Sequence, residues 1–317
     1  MKLNITNTTK YTYDAPVSYG LQQVRLTPVS SKHQTVTDWT VEITGGAQEL
    51  SFEDQYQNQT LLVLADKGTT EVSVTVSGLV VTHTKDGIFG KTYGTTPLWH
   101  FAQSSPRTEP GKGIKKLAKM IEGKANTLDA LHDLSKAIIA AVPYGNADTF
   151  TGTTAEEALK AGGGVCQDHA QIFVSAARVA GISACYVSGY LMMNGRVDQD
   201  ASYAWAEAHI DGLGRVGFDV SNGISPDEHY VRIARLTRFY SLSGNSALRR
   251  RTSIQYHPLL WKPKTQSCPY CPAGSKKRGA QKGCPSMRWL SCRAYHAVWS
   301  VRSNGVTLLP RFRHFGT

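Results

Sequence analysis

The sequence predicts an α+β fold, in which an N-terminal antiparallel β-sandwich precedes a unit of helices and antiparallel sheet. Apolar and polar residues alternate through parts of the first 81 residues, which is typical of strands with one buried face. Between residues 114 and 138, apolar residues recur instead at helical spacing. Two β-prone segments joined by a glycine-containing turn follow at 203–223 and predict a hairpin. The 317 residues are enough for two domains, each with its own core.

Residues 1–105 are assigned to the predicted β-sandwich. Every second residue is apolar in 39–43 and in 72–76, and glycines separate these segments. Strands that are apolar on one face pair in antiparallel sheets whose other face meets solvent. Prolines at 97, 106 and 110 then interrupt the strand pattern. The first domain boundary is therefore predicted near residue 105.

Three helices are predicted at the start of a second domain, which spans residues 106–234. Apolar residues at 114, 117 and 121 mark a short amphipathic helix. Those at 128–138 mark a longer one, which ends near Pro143 because proline lacks the backbone donor that a helix needs. The spacing Thr154-x-x-Glu157 has the form of a capping box and predicts the start of a third helix.

A cysteine at the start of a further predicted helix is the strongest functional signal. Three glycines at 162–164 precede Cys166, and an apolar-rich helix runs from there until Gly181 provides a left-handed cap. The backbone N–H groups and the dipole of a helix start favour a thiolate, and can lower a cysteine pKa from about 8.5 to between roughly 3.5 and 7.5. Cys166 is therefore predicted to be a nucleophile. Cys185 lies in a β-prone segment and is predicted to be a core residue.

The predicted hairpin carries a carboxylate that is able to approach its first strand. Tyr203 lies on that strand, and Asp219 lies on the second strand, after a turn at 211–214. For Tyr203 and Asp219 to share a face of the sheet, the loop must contain an odd number of residues. Pairing of Trp205 with Asp219 meets this requirement and leaves positions 203 and 219 as diagonal neighbours about 7 to 8 Å apart.

Three short motifs resemble the core of the transglutaminase-like superfamily. They are Gly-Gly-Gly-Val-Cys-Gln-Asp at 162–168, Ala-Trp-Ala-Glu at 204–207 and Gly-Phe-Asp at 217–219. The tyrosine- and proline-containing stretch at 11–28 is similar to the β domain that precedes this core in bacterial members. The resemblance covers roughly residues 1–234. It implies a papain-like core in which a cysteine, a histidine and an aspartate act as nucleophile, base and orienting carboxylate.

The resemblance implies that Cys166 is the nucleophile and Asp219 the orienting carboxylate, but Tyr203 occupies the position of the base. A phenol with a pKa near 10 accepts a proton poorly at neutral pH, whereas imidazole titrates near 6.5. His209 lies on the same strand, but six residues put it roughly 20 Å from position 203. His169 lies one helical turn after Cys166 and is expected to make a supporting or solvent contact. The predicted triad is thus Cys166, Tyr203 and Asp219, with impaired activity.

Residues 235–317 form a third segment, which differs from the rest of the chain in its charge and its cysteines. From residue 229 onward there are 17 Lys and Arg and neither Asp nor Glu. Residues 1–228 therefore hold the other 18 basic residues and all 24 acidic ones, which gives residues 1–228 a net charge of −6. One interpretation is a zinc module that contacts nucleic acid through Lys276–Arg278, with ligands Cys268, Cys271, Cys284 and Cys292. The other, which the missing acidic residues favour, is translation out of frame after about residue 234. The tail is expected to be irregular, and neither a metal nor nucleic acid is assigned.

These features predict a thiol enzyme that acts on amide bonds of peptides or proteins. Hydrolysis of a thioester at Cys166 would make it a cysteine protease or amidase, and attack by an amine would make it a transglutaminase. Two alternatives stay open: a peptide-binding protein without turnover, and a nucleic-acid binder that uses the basic tail. No cofactor is expected. Long apolar runs and an apolar leader are absent from the sequence, so a cytoplasmic location without a membrane partner is expected.

Overall fold

The computed structural model describes residues 1–83, 86–90, 94–145, 149–150, 152–193 and 202–237, and gives the backbone of 198–199, 248–258 and 301–302. The helices are α1 (Leu98–Phe101), α2 (Lys112–Lys119), α3 (Thr127–Ala141), α4 (Ala155–Ala161) and α5 (Cys166–Val179), and a 3-10 turn spans Pro106–Thr108. The strands are β1 (Lys2–Tyr13), β2 (Leu21–Thr27), β3 (Gln34–Thr44), β4 (Gly46–Glu53), β5 (Gln59–Ala65), β6 (Glu71–Thr82), β7 (Ile88–Gly90), β8 (Ala184–Leu191), β9 (Asp198–Gln199), β10 (Tyr203–Ile210), β11 (Gly214–Phe218), β12 (Tyr230–Leu236), β13 (Leu248–Pro258) and β14 (Val301–Arg302).

Two antiparallel sheets form the N-terminal part of the molecule. Their strand orders are β3-β6-β1-β13-β9 and β14-β2-β5-β4. Val72, Val74 and Val76 of β6 meet Val24 and Val63 of the other sheet in a common core, and all five are fully buried. This alternation of buried and partly exposed residues is the one read from the sequence. The expected N-terminal antiparallel sandwich is therefore confirmed.

The predicted helices are present with the expected end signals. α3 begins at the N-cap Asn126, whose side chain accepts a hydrogen bond from the backbone N–H of Asp129, and it ends two residues before Pro143. α4 begins with the capping box of Thr154 and Glu157. None of the helices in the described part of the chain is long and apolar enough to cross a membrane.

α5 lies at the centre of the second domain. It packs against β8 and β10 on one side and against α2, α3 and α4 on the other. The sheet that it contacts has the order β12-β8-β10-β11-β7. Phe173 of α5 stacks on Phe218 of β11 with ring centroids 4.9 Å apart, and both side chains are fully buried. Cys185 lies on β8 and is buried, as expected for a core residue.

Side-chain amides of the sandwich cover the outer edge of this sheet. Gln34 donates to the carbonyl oxygen of Arg232 at 2.8 Å and accepts from its backbone N–H at 2.9 Å. Asn58 makes the same pair of contacts with Arg235, both at 2.8 Å. Because β12 is the last strand of the sheet, these amides satisfy backbone groups that would otherwise lack partners. The sandwich and the second sheet are thus joined directly.

The tail contains more regular structure than the sequence suggested. β13 pairs antiparallel with β1 along its whole length, for example with Tyr256 opposite Ile5. β1 is already paired with β6 on one edge, so its other edge offers backbone donors and acceptors to a further strand. Residues 248–258 thus form a strand within the tail, although the sequence analysis expected irregular structure there.

The other expectations for the tail are not tested. The four tail cysteines of the hypothetical zinc module lie outside the described residues. The out-of-frame interpretation and the predicted domain boundaries stay predictions. β12, however, continues to Leu236, two residues past the predicted boundary at 234.

Candidate active site

Local backbone chemistry places Cys166 as the first residue of α5. Gly162 ends α4 in the left-handed region with φ 68°, a conformation that costs glycine little. A Cβ atom on Gly164 would lie 2.9 Å from the Cβ of Asp168, so glycine is needed there too. The carboxylate of Asp168 caps the helix by accepting hydrogen bonds from the backbone N–H of Val165 and the hydroxyl of Thr149, each at 2.9 Å. Cys166 is a thiol and is 1% exposed.

The hairpin register brings Tyr203 and Asp219 to the same face of the sheet. β10 and β11 are joined by the three residues 211–213, and Ala206 lies opposite Phe218. If this register is extended by one residue, Trp205 lies opposite Asp219, as the sequence predicted. The Tyr203 hydroxyl donates a hydrogen bond to Asp219 Oδ1 at 3.2 Å.

Asp219 is fully buried and accepts four hydrogen bonds from uncharged donors. Besides Tyr203, the hydroxyl of Tyr230 donates to Oδ2 at 2.6 Å. Asn222 donates to Oδ2 from its side chain at 2.7 Å and to Oδ1 from its backbone at 3.2 Å. Burial raises the pKa of Asp219 above its ordinary value, although these four hydrogen bonds work in the opposite direction.

The sequence interpretation missed Asn222 and Tyr230. A signal for Asn222 did exist, because Asp219-x-x-Asn222-Gly223 has the composition of a tight turn in which side chains bond to nearby backbone. Asp219 and Ile224 indeed pair across this turn. Tyr230 had no local signal, because it reaches Asp219 from β12, two strands away from β10 in the sheet.

The phenol of Tyr203 remains protonated at neutral pH. Its oxygen donates to Asp219 and accepts a hydrogen bond from the Asn222 side chain at 3.0 Å. Burial first, and then the negative charges of Asp219 and Cys166, raise the pKa of Tyr203 well above its ordinary value near 10. Tyr203 and Cys166 both belong to one cluster of packed side chains. A protonated phenol does not act as a simple general base.

His169 supports the site but does not replace the missing imidazole. Its Nε2 lies 2.8 Å from the carbonyl oxygen of Val142, so this nitrogen carries the proton. Its Nδ1 then accepts from the hydroxyl of Ser221 at 2.8 Å, and both nitrogens are engaged. Burial lowers the pKa of His169 to about 4. The neutral ring therefore ties α5 to the loop that carries Asp219.

His209 lies at the other end of β10 from Tyr203. Its ring faces Asp211 at 3.2 Å, which is consistent with the expectation that it does not serve the Cys166 site. Within the residues that the structure describes, three or more His, Cys, Asp or Glu side chains do not come together to hold a metal ion. Cys166, Tyr203 and Asp219 are thus the predicted site residues that come together, and their catalytic roles stay predictions.

A second buried carboxylate lies on the same strand as Tyr203. Glu207 pairs with Arg215 at 2.6 Å and with Arg232 at 3.5 Å, and its side chain is fully buried. Burial alone raises the pKa of Glu207, but the arginines outweigh it and hold this pKa below the ordinary value. Glu207 is therefore an ionised structural residue.

Comparison with known proteins places the fold in a family. Residues 3–81 match the sequence model of the bacterial transglutaminase-like N-terminal region, and residues 115–220 match that of the transglutaminase-like superfamily. An uncharacterized protein of Mycobacterium leprae is 26% identical over 253 residues, which are 73% of this chain and 87% of that protein. An uncharacterized protein of Mycobacterium tuberculosis strain H37Rv is 34% identical over 122 residues, 35% of this chain and 39% of that protein.

A solved structure shows the same architecture. A Cytophaga hutchinsonii protein named "Putative Cysteine Protease" aligns with a TM-score of 0.62 and 18% identity, over 81% of this chain and 89% of that one. The periplasmic domain of TgpA from Pseudomonas aeruginosa aligns with a TM-score of 0.35 and 13% identity, over 69% and 90% of the two chains. The molecule is a mixed α+β protein of the kind seen in the first of these structures. The chain belongs to the transglutaminase-like superfamily and carries the N-terminal region of its bacterial members.

Proposed function

We propose that this chain is a thiol enzyme that acts on amide bonds of peptides or proteins, and that Tyr203 impairs its turnover. The observation that carries the proposal is the position of Cys166 at the start of α5, beside a buried Tyr203 that is hydrogen-bonded to Asp219. These are the positions at which members of the superfamily hold their nucleophile, base and orienting carboxylate. Membership of the superfamily supports the class of reaction.

The proposed chemistry is transfer of an acyl group to Cys166. The thiolate sulfur attacks the amide carbonyl carbon, the C–N bond breaks, and the amine leaves with a proton. The resulting thioester is resolved by water in a protease or amidase and by an amine in a transglutaminase. The backbone N–H groups at the start of α5 favour the negative charge of the thiolate.

Proton transfer is the step that Tyr203 impairs. The single phenolic proton is engaged with Asp219, and the raised pKa of Tyr203 keeps it in place at neutral pH. A positioned general base contributes about 10²- to 10⁴-fold to a rate. The parent chain should therefore be slower by about this factor than a variant with imidazole at position 203.

The test compares the parent chain with Tyr203→His and with Cys166→Ala on a fluorogenic peptide amide, with and without a fluorescent primary amine as acceptor. We expect Tyr203→His to raise kcat/KM by about 10² or more and Cys166→Ala to abolish product formation. The added amine separates acyl transfer from hydrolysis. Turnover that survives Cys166→Ala, or the absence of turnover in Tyr203→His, would overturn the proposal.

A second candidate function is peptide binding without turnover, which is favoured by the burial of Cys166 and the protonated state of Tyr203. It predicts that Cys166→Ala binds a labelled peptide as tightly as the parent chain and that Tyr203→His stays inactive. Nucleic-acid binding depends on a tail whose cysteines lie outside the described residues. It stays a prediction, as does the cytoplasmic location.

A further inference from the structure

We infer that a cavity between the sandwich and the sheet of the second domain binds a carboxylate group, which Arg232 holds beside the indole of Trp205. Cys166 does not line this cavity, so the inference does not depend on the proposed function. The carboxylate belongs to a small free acid or to the C-terminal end of a peptide, because both present the same group.

The cavity is formed by residues of both domains and is small. His33 and Gln34 line it from the sandwich, and Trp205, Tyr230 and Arg232 line it from the sheet. Its volume is about 20 Å³, whereas one water molecule needs at least about 10–15 Å³. The cavity therefore takes one or two groups of the size of a water molecule. The two oxygens of a carboxylate meet this limit, and a nucleotide does not.

Trp205 contributes a buried hydrogen-bond donor to the wall of the cavity. Its side chain is 1% exposed and packs over Gly189, where a Cβ atom would lie 2.5 Å from the indole ring. The Nε1–H is the one polar group of an indole and acts only as a donor. Within the described residues it has no hydrogen-bond partner, although buried donors in native proteins nearly always have one. The indole thus favours a ligand that accepts hydrogen bonds.

Arg232 contributes a positive charge that Glu207 covers only in part. The single carboxylate of Glu207 lies 2.6 Å from Arg215 and 3.5 Å from Arg232, so one negative charge faces two positive ones. The guanidinium carbon of Arg232 also lies 5.4 Å from the ring centroid of Phe89, which is an attractive contact but adds no anion. Burial lowers the pKa of Arg232 to about 10, so the side chain stays charged at neutral pH. A carboxylate beside Arg232 would balance this charge and match the planar guanidinium.

Two further ionisable side chains of the cavity wall are held by other groups. The exposed Asp227 accepts hydrogen bonds at Oδ1 from the ring and from the backbone N–H of His229, each at 2.9 Å. His33 Nε2 lies 2.6 Å from the carbonyl oxygen of Ile88, and burial lowers the pKa of His33, so this ring is neutral at pH 7. Arg232 is therefore the cation that would attract a carboxylate into the cavity.

The readout is the ¹⁵N–¹H spectrum of the indole groups of the full chain, which has six tryptophans. The resonance of Trp205 is the one that is lost in Trp205→Phe. Sodium acetate is the probe, and acetamide is its control because it has nearly the same size and shape but no charge. We expect acetate to shift the Trp205 resonance saturably in the millimolar range, and acetamide to leave it unchanged.

Three variants test the role of charge. Arg232→Gln should weaken acetate binding by about tenfold or more, because the charged, two-pronged donor is lost. Glu207→Gln should strengthen it by about tenfold, because the competing anion is lost. Arg25→Gln is the control: Arg25 is also in a largely buried ion pair, with Asp54 at 2.8 Å, but does not line the cavity. It should bind acetate as the parent chain does.

Thermal unfolding in acetate and in acetamide gives a second measurement, which needs no resonance assignment and covers a Trp205→Phe that fails to fold. Acetate should raise the Tm of the parent chain above its value in acetamide, and should not do so for Arg232→Gln. Equal responses to acetate and acetamide, or equal acetate affinities of the parent chain and Arg232→Gln, would overturn the inference.

N-acetylglycine and its amide distinguish the two sources of the carboxylate. Binding of N-acetylglycine but not of its amide would support the inference and assign the site to the end of a peptide chain. A response to acetate alone would support the inference and assign the site to small free acids. Equal binding of N-acetylglycine and its amide would contradict recognition of a carboxylate.

Discussion

Asp219 and Glu207 are two buried carboxylates on one face of one sheet, and their partners give them opposite properties. Glu207 is held by arginines, which keep its pKa below the ordinary value and fix it as an anion. Asp219 is held by two phenols and an amide, and burial raises its pKa. A carboxylate paired with arginines is held as an anion. One held by neutral donors keeps its geometry, while burial shifts its pKa in the opposite direction.

The largest effect is expected where Asp219 acts in catalysis. In the Tyr203→His background, Asp219→Asn should lower kcat by about 10³- to 10⁴-fold, because the imidazole loses the carboxylate that sets its tautomer and orientation. Glu207→Gln in the same background provides the control, and should leave kcat within about tenfold at a temperature where the protein is folded. Equal losses in the two variants would remove the functional distinction between the carboxylates.

The next largest effect is expected in the free energy of unfolding, where replacing Glu207 should cost more than replacing Asp219. Glu207→Gln removes the anion that neutralises Arg215 and Arg232, and breaking such a buried ion pair costs about 3–5 kcal/mol of unfolding free energy. Asp219→Asn keeps uncharged partners around an uncharged side chain and should cost about 1–3 kcal/mol. Urea unfolding followed by tryptophan fluorescence measures both. A smaller cost for Glu207→Gln than for Asp219→Asn would contradict the comparison.

A smaller effect is expected for the donors of Asp219. Tyr230→Phe removes one hydrogen bond of 2.6 Å from the buried carboxylate and should cost about 1–3 kcal/mol of unfolding free energy. It should also raise the pKa of Asp219 further, because one of the contacts that opposes the effect of burial is lost. Carboxyl titration by NMR in the parent chain and in Tyr230→Phe would detect this rise. An unchanged or lower pKa of Asp219 would mean that Tyr230 does not stabilise the anion.

The smallest expected effect is the pH dependence of stability, where the two carboxylates have opposite signs. The pKa of Glu207 is lowered in the folded state, so its stabilisation is present above the unfolded value of about 4.3 and is lost as pH falls through the folded value. The pKa of Asp219 is raised, so its ionisation penalty appears as pH rises from about 3.9 through the folded value. Glu207→Gln should therefore flatten the acid loss of stability, and Asp219→Asn should steepen it. Chemical unfolding between pH 3 and pH 7 tests both signs.

The sequence was informative where the structure depends on local periodicity. The start of α5 at Cys166, the capping box of α4 and the hairpin register that puts Tyr203 and Asp219 on one face all follow from residue spacing within one or two elements. In each case the side chains that decide the geometry are near neighbours along the chain.

The remainder of the site depends on contacts between distant segments. Tyr230 reaches Asp219 from another strand, and Arg232 reaches Glu207 across 25 residues. The strand at 248–258 depends on the open edge of β1, which local periodicity cannot reveal. The sequence did show that Tyr203 occupies the position of the base in the motif. Its hydrogen bonds to Asp219 and Asn222 became apparent only once the hairpin and the following turn were assembled.

The amide contacts of Gln34 and Asn58 with β12 bear on how this protein is divided for engineering. The two side chains imitate a neighbouring strand along the margin of the sheet that carries Tyr203. A fragment cut out near residue 105 would present that margin bare to other copies and should aggregate, which light scattering of the fragment would reveal. A minimal version of this protein would thus have to carry a substitute for two amides that belong, by sequence, to the other domain.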